Sequence, residues 1–320
     1  MTRFRRTLPP ALRVIVALTL ACLNGWAAAM DLVPLRVSEH VWYVRGDSGV
    51  ASAANQGFNS NAGFVVTADS VVVVDALGTP ALGEALLTAI RRISTLPVRR
   101  VVLTHFHADH FYGLPAFKAV GAEVWAHRAG RAYFASGEAE ARLAQRRRDL
   151  FPWVDEHTTL IQADRWLDGP VRFSDGGLHF RIDILGPAHS PEDLTLTVEE
   201  DGVVFCGDIL FAGRIPFVGN ADSRRWLAAI DAVAALHPRI LVTGHGPHSS
   251  DAAADLSLTG DYLRFLREKM GRAVADMVPF DEAYAQTDWG RFRALPAFDA
   301  ANRINAYGTY LTLERESLGQ

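Results

Sequence analysis

The segment His105-Phe106-His107-Ala108-Asp109-His110 places four side chains able to ligate a metal within six residues, directly after the apolar run Val101-Val102-Leu103. Imidazole and carboxylate are the donors that hold zinc and related first-row ions. A strand giving way to a turn can aim alternate residues at one point and the following residues at a second. A lone histidine is usually a hydrogen-bonded core or surface residue, whereas four donors in one turn have no comparable structural explanation. One short loop cannot complete two coordination shells, so further donors must come from distant sequence. Three candidates stand in turn-like contexts after apolar runs: His189 in Gly186-Pro187-Ala188-His189-Ser190-Pro191, Asp208 after Cys206-Gly207, and His245 between Gly244 and Gly246.

The elements that must present these residues follow from apolar patterning. Gly63–Thr67 and Val71–Asp75, separated by Ala68-Asp69, read as a hairpin of buried strands. Pro80–Ile93 has helical spacing, and Val101–Leu103 is a buried strand ending at Thr104. The same order returns as a strand Val203–Phe205 ending at Gly207-Asp208, a helix over roughly 222–236, and a strand Ile240–Val242 ending at Thr243. Both units end in a histidine-bearing loop, so a pseudo-duplicated α/β fold would bring the two loops to one edge of paired sheets. Gly130–Asp149 reads as helical, with Arg146-Arg147-Arg148 as a solvated basic face. A packed helix carrying Leu256, Tyr262, Leu263, Leu266 and Met270 follows a cap at Ser249, Ser250 or Asp251, and the tail to Leu318 reads as helices and loops.

With these motifs in this order, the stretch from about Leu35 to His248 resembles the metallo-β-lactamase superfamily. The resemblance implies a four-layer αββα sandwich with metals at one edge of the two sheets, here with a helical C-terminal extension. It implies that His105, His107 and His189 bind one metal, that Asp109, His110 and His245 bind the other, and that Asp208 bridges them. It implies two zinc ions, with iron or manganese as alternatives. Asp75, at the end of the strand Val71–Val74, matches an aspartate that braces the ligand loop in this superfamily. Two such metals can share a hydroxide, lower the pKa of its parent water and polarise a carbonyl, so water is the nucleophile and Asp109 orients it.

Asp208 stands where many lactamases place a cysteine, and the full ligand set is similar to glyoxalase II and related hydrolases. An export signal, the stretch Asn59-Ser60-Asn61-Ala62-Gly63-Phe64 and the tail around residues 302–316 look more like exported metallohydrolases associated with sulfur oxidation or quinoprotein systems. The resulting expectation is a metal-dependent hydrolase of a thiolester, lactone or related ester or amide. The alternatives are β-lactamase activity, suggested by His189-Ser190-Pro191-Glu192-Asp193, and an iron-dependent persulfide dioxygenase-type oxidoreductase. Arg214 is a candidate for meeting an anionic substrate, its bland counterpart being a solvent-facing salt bridge. His248 is a candidate support behind the ligands, and Trp153, Phe211 and Phe217 are read as core aromatics or pocket walls.

Composition sets the frame. The chain of 320 residues is 49% hydrophobic and 21% charged, enough to bury a real core. Lys and Arg total 32 against 36 Asp and Glu, so nothing basic advertises a nucleic-acid partner, and the expected partner is a small-molecule substrate. The first residues carry Arg3, Arg5 and Arg6, an apolar run from Ala11 to Leu23, and Ala27-Ala28-Ala29, which together read as a secretory signal over 1–29. Its removal takes four arginines and no carboxylate, so the net charge moves from −4 to −8. Cys22 leaves with it, and Cys206 is left without a partner in its own chain. The expected organisation is a signal at 1–29, a catalytic domain at 30–250 and a helical extension at 251–320 packed on the core. The expected location is periplasmic or secreted, with no membrane span once the signal is removed.

Overall fold

The computed structural model describes residues 30–219, 221–249 and 251–319, so the export signal and Cys22 lie outside the described residues. Strands β1 (Leu35–Arg36), β2 (Val41–Val44), β3 (Ala62–Val66) and β4 (Val71–Val74) follow one another antiparallel. Helix α1 (Pro80–Ile93) then returns the chain to β5 (Val98–Val102), which lies parallel to β4. Thr79 starts α1 by accepting the Leu82 amide on its side chain, and Pro80 at the first helical position leaves no extra amide unpaired. After the histidine turn come α2 (Ala108–Phe111), α3 (Leu114–Ala119) and β6 (Glu123–His127). Helices α4 (Gly130–Ala135) and α5 (Glu138–Asp149) lead to β7 (Arg165–Leu167), and β1 to β7 form one sheet in sequence order.

The second sheet contains β8 (Val171–Asp175), β9 (Leu178–Ile184), β10 (Leu194–Val198), β11 (Val203–Phe211) and β12 (Ile240–His245). Strands β11 and β12 are parallel and are joined by α6 (Ser223–Ala235), which Asp222 caps through the Arg224 and Arg225 amides. Helices α7 (Ala252–Ala275), α8 (Phe280–Gln286) and α9 (Phe298–Ser317) complete the fold.

Two hydrophobic layers hold these elements. Between the sheets, Val41, Val72, Val74, Val102 and Trp125 from the first meet Phe180, Leu194, Leu196, Phe205 and Val242 from the second. Every residue of β4, β10 and β11 is buried, as expected of strands covered on both faces. On the outer face of the second sheet, Cys206, Leu210 and Leu241 pack with Trp226 and Ile230 of α6, Tyr262 and Leu266 of α7, and Ala306 and Tyr310 of α9. The C-terminal helices thus share one core with the second sheet. The layers run helix, sheet, sheet, helix, and the two parallel strand–helix–strand units anticipated from sequence are β4–α1–β5 and β11–α6–β12. No helix among the described residues is long and apolar enough to cross a membrane.

Three details differ from the sequence reading. The helical stretch Gly130–Asp149 is two helices, interrupted at Gly137 with φ +82°. Strand β11 does not stop at Asp208 but continues to Phe211, because the backbone takes a left-handed kink at Gly207 (φ +50°) and shifts register against β12 there. Strand β12 likewise runs on to His245. Asp208 and His245 are therefore held by strand backbone rather than by loops.

Asp201, in the turn before β11, joins the two sheets. It accepts the Ser38 hydroxyl, the His40 amide (3.0 Å) and His40 Nδ1 (2.9 Å). Burial alone would raise this carboxyl, but the bonds from Ser38 and His40 outweigh it and hold the pKa below its ordinary value. A lowered carboxylate pKa contributes stability above the unfolded-state value, and the contribution is lost as pH falls through the folded-state value. Asp201→Asn is expected to cost about 1–2 kcal/mol at pH 7. Denaturant unfolding should show the gap from the unsubstituted chain narrowing as pH falls below the ordinary aspartate value of about 4.

Candidate metal centre

The two strand–helix–strand units deliver their polar ends to one edge of the sandwich, and all seven expected ligands meet there. Ligand atoms of His105, His107, His189 and Asp208 lie within 4.8 Å of one another, as do those of Asp109, His110 and His245. Asp208 stands between the two groups. Its Oδ2 lies 3.3 Å from both His189 Nε2 and His245 Nε2, and its Oδ1 lies 3.2 Å from His110 Nε2. Asp109 Oδ2 lies 3.5 Å from His245 Nε2. In the first group, His107 Nδ1 is 3.1 Å from His105 Nε2 and 2.8 Å from His189 Nε2.

The far side of each ring fixes what its near side offers. Thr104 Oγ donates its one proton to Asp75 Oδ2 (2.8 Å) and so accepts from His105 Nδ1 at 3.0 Å. His110 Nδ1 donates to Asp75 Oδ2 (2.9 Å), and His245 Nδ1 donates to the Asn59 carbonyl (2.6 Å). With Nδ1 the outward donor in all three, each ring when neutral turns an Nε2 lone pair inward, the tautomer a metal requires. The centre is then lined by acceptors facing acceptors. His110 Nε2 and Asp208 Oδ1 are buried with no hydrogen-bond partner although they approach each other, as groups directed at a common point would be. This donor set suits divalent metal ions.

The titration tendencies divide the histidines. Burial and neighbouring imidazoles push His105 well below its ordinary value and His189 down to about 3, against the opposing pull of Asp208. They are kept neutral, as ligands must be. His110 goes the other way, because Asp208 and Asp75 outweigh its burial and hold it well above the ordinary value. Asp208, despite burial, is held well below the carboxylate range by His245 and His110.

Asp75 braces the site as expected, taking the Thr104 amide on Oδ1 (2.8 Å) and both Thr104 Oγ and His110 on Oδ2. Further supports were not read from sequence. Asn59 Nδ2 donates to Asp109 Oδ2 (3.0 Å), the Ser60 hydroxyl to the Asp109 carbonyl, and Asn61 Nδ2 to the carbonyls of Thr243 and Gly246 (both 2.8 Å). On the opposite side, Glu192 Oε1 accepts the Phe106 amide (3.1 Å), while Asp193 takes the Ser190 amide and hydroxyl (both 2.7 Å). The available signal was polar residues flanking apolar strands, which does not say which loop each one meets.

The aromatic candidates divide. Phe211 stacks flat on His245 (5.0 Å, 5°), whereas Trp153 donates its indole N–H to Ala53 O. Phe217 is partly exposed, and His248 packs edge-on against Tyr43. Arg214 forms no solvent-facing salt bridge. It is fully buried, with Nη1 on the Gly49 carbonyl (3.0 Å) and 3.2 Å from His245 Nδ1.

Residues 55–245 match the sequence pattern of the Metallo-beta-lactamase superfamily. The chain belongs to that superfamily. Within the superfamily it is 24% identical over 195 residues to a protein of Bacillus subtilis described as "Probable metallo-hydrolase YqgX", covering 59% of this chain and 86% of that one. Its fold is similar to the metallo-beta-lactamase from Pontibacter korlensis (TM-score 0.59, 20% identity, 73% of this chain and 99% of that chain). It is also similar to the inverting sec-alkylsulfatase Pisa1 from Pseudomonas sp. (TM-score 0.70, 18% identity), where 88% of this chain covers 50% of that chain.

A metallo-beta-lactamase-fold centre of this kind tolerates no volume beside its shared carboxylate. A Cβ on Gly244 would lie 1.9 Å from Asp208 Oδ1 and 2.8 Å from the Gly207 backbone carbonyl carbon. Gly244→Ala is expected to displace Asp208 and to weaken metal binding at least tenfold, with secondary structure retained. Asp75→Asn should weaken it about 10- to 100-fold by unbracing His110. Competition with a chromogenic chelator measures both, alongside circular dichroism.

Proposed function

We propose that the protein is an exported dinuclear zinc hydrolase whose substrate is a small carbonyl compound, a thiolester, lactone or related ester or amide. The observation that carries this reading is the place of Asp208, within 3.3 Å of histidines from both trios. In this assignment His105, His107 and His189 hold one ion, Asp109, His110 and His245 hold the other, and Asp208 is shared. Two divalent cations held there would bring a water near neutral pKa and polarise a carbonyl oxygen.

The chain's own residues supply the rest. Asp109, fixed by Asn59, offers an oxygen to orient the attacking water. Phe211 flat against His245 and Trp226 edge-on to His189 exclude bulk water behind the ligands. A cavity of about 610 Å³ opens at His107, within the range of small-molecule sites. The basic and apolar run over 1–29 with its Ala27-Ala28-Ala29 end supports export to the periplasm or beyond.

Elemental analysis of the purified chain should find two zinc ions, and one iron per chain would overturn the assignment in favour of oxidative chemistry. A panel of thiolesters, lactones, β-lactams and phosphodiesters should show turnover concentrated in the carbonyl compounds. Asp109→Asn is expected to lower kcat/KM at least 100-fold while changing the melting temperature by only a few degrees, about the shift 1 kcal/mol produces. Thermal unfolding and steady-state kinetics on the same preparation check this pair of outcomes.

A further inference from the structure

The cavity at His107 has two walls. Helices α4 and α5 contribute Tyr133, Glu138, Arg142 and Gln145, and the loop after His189 contributes Ser190, Pro191 and Glu192. Glu192 is 5% exposed, and its Oε1 accepts the Phe106 amide between the two histidines of the ligand turn. No cation lies within ion-pair distance of it among the described residues; α5 brings both Glu138 and Arg142 to the cavity, and of these it is the like-charged Glu138 that acts on Glu192. Burial and Glu138 favour its protonated form, against the pull of the Phe106 amide.

A buried carboxyl without a counter-ion is costly, and as a clasp between two loops it is the wrong choice. A glutamine would accept the same amide proton with no charge to desolvate. What glutamine cannot do is release a proton, and the wall of a reaction cavity is where a proton donor is useful.

We propose that Glu192 is a catalytic residue, the general acid that protonates the leaving group of the hydrolysis; this rests on the hydrolase reading above. In the step, the bond between the carbonyl carbon and the leaving atom breaks, and its electron pair moves to that atom. The atom takes the proton from Glu192 and departs as an alcohol, thiol or amine. The water consumed leaves its hydroxyl on the acyl product, and its other proton restores Glu192. The sum is one ester and one water giving one acid and one neutral leaving group.

The test compares ethyl and p-nitrophenyl esters of one acyl group on the zinc-loaded chain, with Glu192→Gln retaining the acceptor for Phe106. An ethoxide must be protonated as it leaves, whereas p-nitrophenolate departs unaided. Glu192→Gln is expected to lower kcat on the ethyl ester by about 100-fold or more. It should leave kcat on the p-nitrophenyl ester within about threefold, with zinc content and melting temperature unchanged. Equal losses on both esters, or no loss on either, would overturn the proposal. If Glu192→Gln fails to fold, Glu192→Asp decides: a steeper leaving-group dependence than the unsubstituted enzyme supports the role, and a parallel one overturns it. An unsubstituted enzyme that hydrolyses neither ester and no carbonyl compound of the panel above removes the hydrolase reading and this inference together. That outcome is distinct from an active enzyme whose Glu192→Gln variant ignores the leaving group.

Discussion

The interaction on which the rest of this structure depends is the burial of Asp208 among the inward-facing nitrogens of His110, His189 and His245. A carboxylate 4% exposed and 3.2–3.3 Å from three Nε2 atoms is unfavourable unless positive charge enters between them. The chain's own source of that charge is a proton on His110, which Asp208 and Asp75 hold well above its ordinary value, while the Nδ1–H groups of His105, His110 and His245 point outward to Thr104, Asp75 and the Asn59 carbonyl. Asp75 and Asn59 occupy the outer faces of these candidate ligands. Asp75 takes three donors, and Asn59 uses its amide on Asp109 and its carbonyl on His245.

The fold meets this demand by burying on both sides the strand that leads into Asp75 and the strand that carries Asp208. Strands β4 and β11 are buried along their whole length, one core lying between the sheets and a second outside β11 against α6, α7 and α9. The bulge at Gly207 turns Asp208 out of an otherwise continuous strand, and Gly244 on the neighbouring strand leaves the space it occupies. The same apolar burial that stabilises the sandwich therefore limits the movement of the shared carboxylate.

How much of this was legible in the sequence follows from the range of each interaction. The four donors of His105–His110 lie within one turn, and His189, Asp208 and His245 each follow an apolar run, so spacing and strand patterning were enough to collect them. The two parallel units were legible for the same reason, because β-rich runs and an amphipathic helix repeat in order. Helix and strand ends were less so: Gly137 splits one expected helix, and a glycine kink let β11 run past its expected end. The supports from Asn59, Ser60, Asn61 and Glu192 were not legible as such. Their partners lie 49 to 186 residues away, and a polar side chain beside a strand carries no mark of which distant backbone it will meet.

The two trios are electrostatically unequal, and the inequality has a physical source. His105, His107 and His189 crowd one another, so each disfavours a proton on the next, and burial adds to this. His110 instead sits between Asp75 and Asp208, and these carboxylates reverse the effect of burial. Asp109 and Asp208 act on the buried guanidinium of Arg214 and help to hold its charge. Positive charge is therefore drawn first to the side of His110, where a proton and a metal ion compete for the same Nε2. The trio around His107, which favours neutral rings, is the one that borders the open cavity. The histidine that draws positive charge thus lies outside the lining of that cavity, while His107, from the trio kept neutral, lies in it.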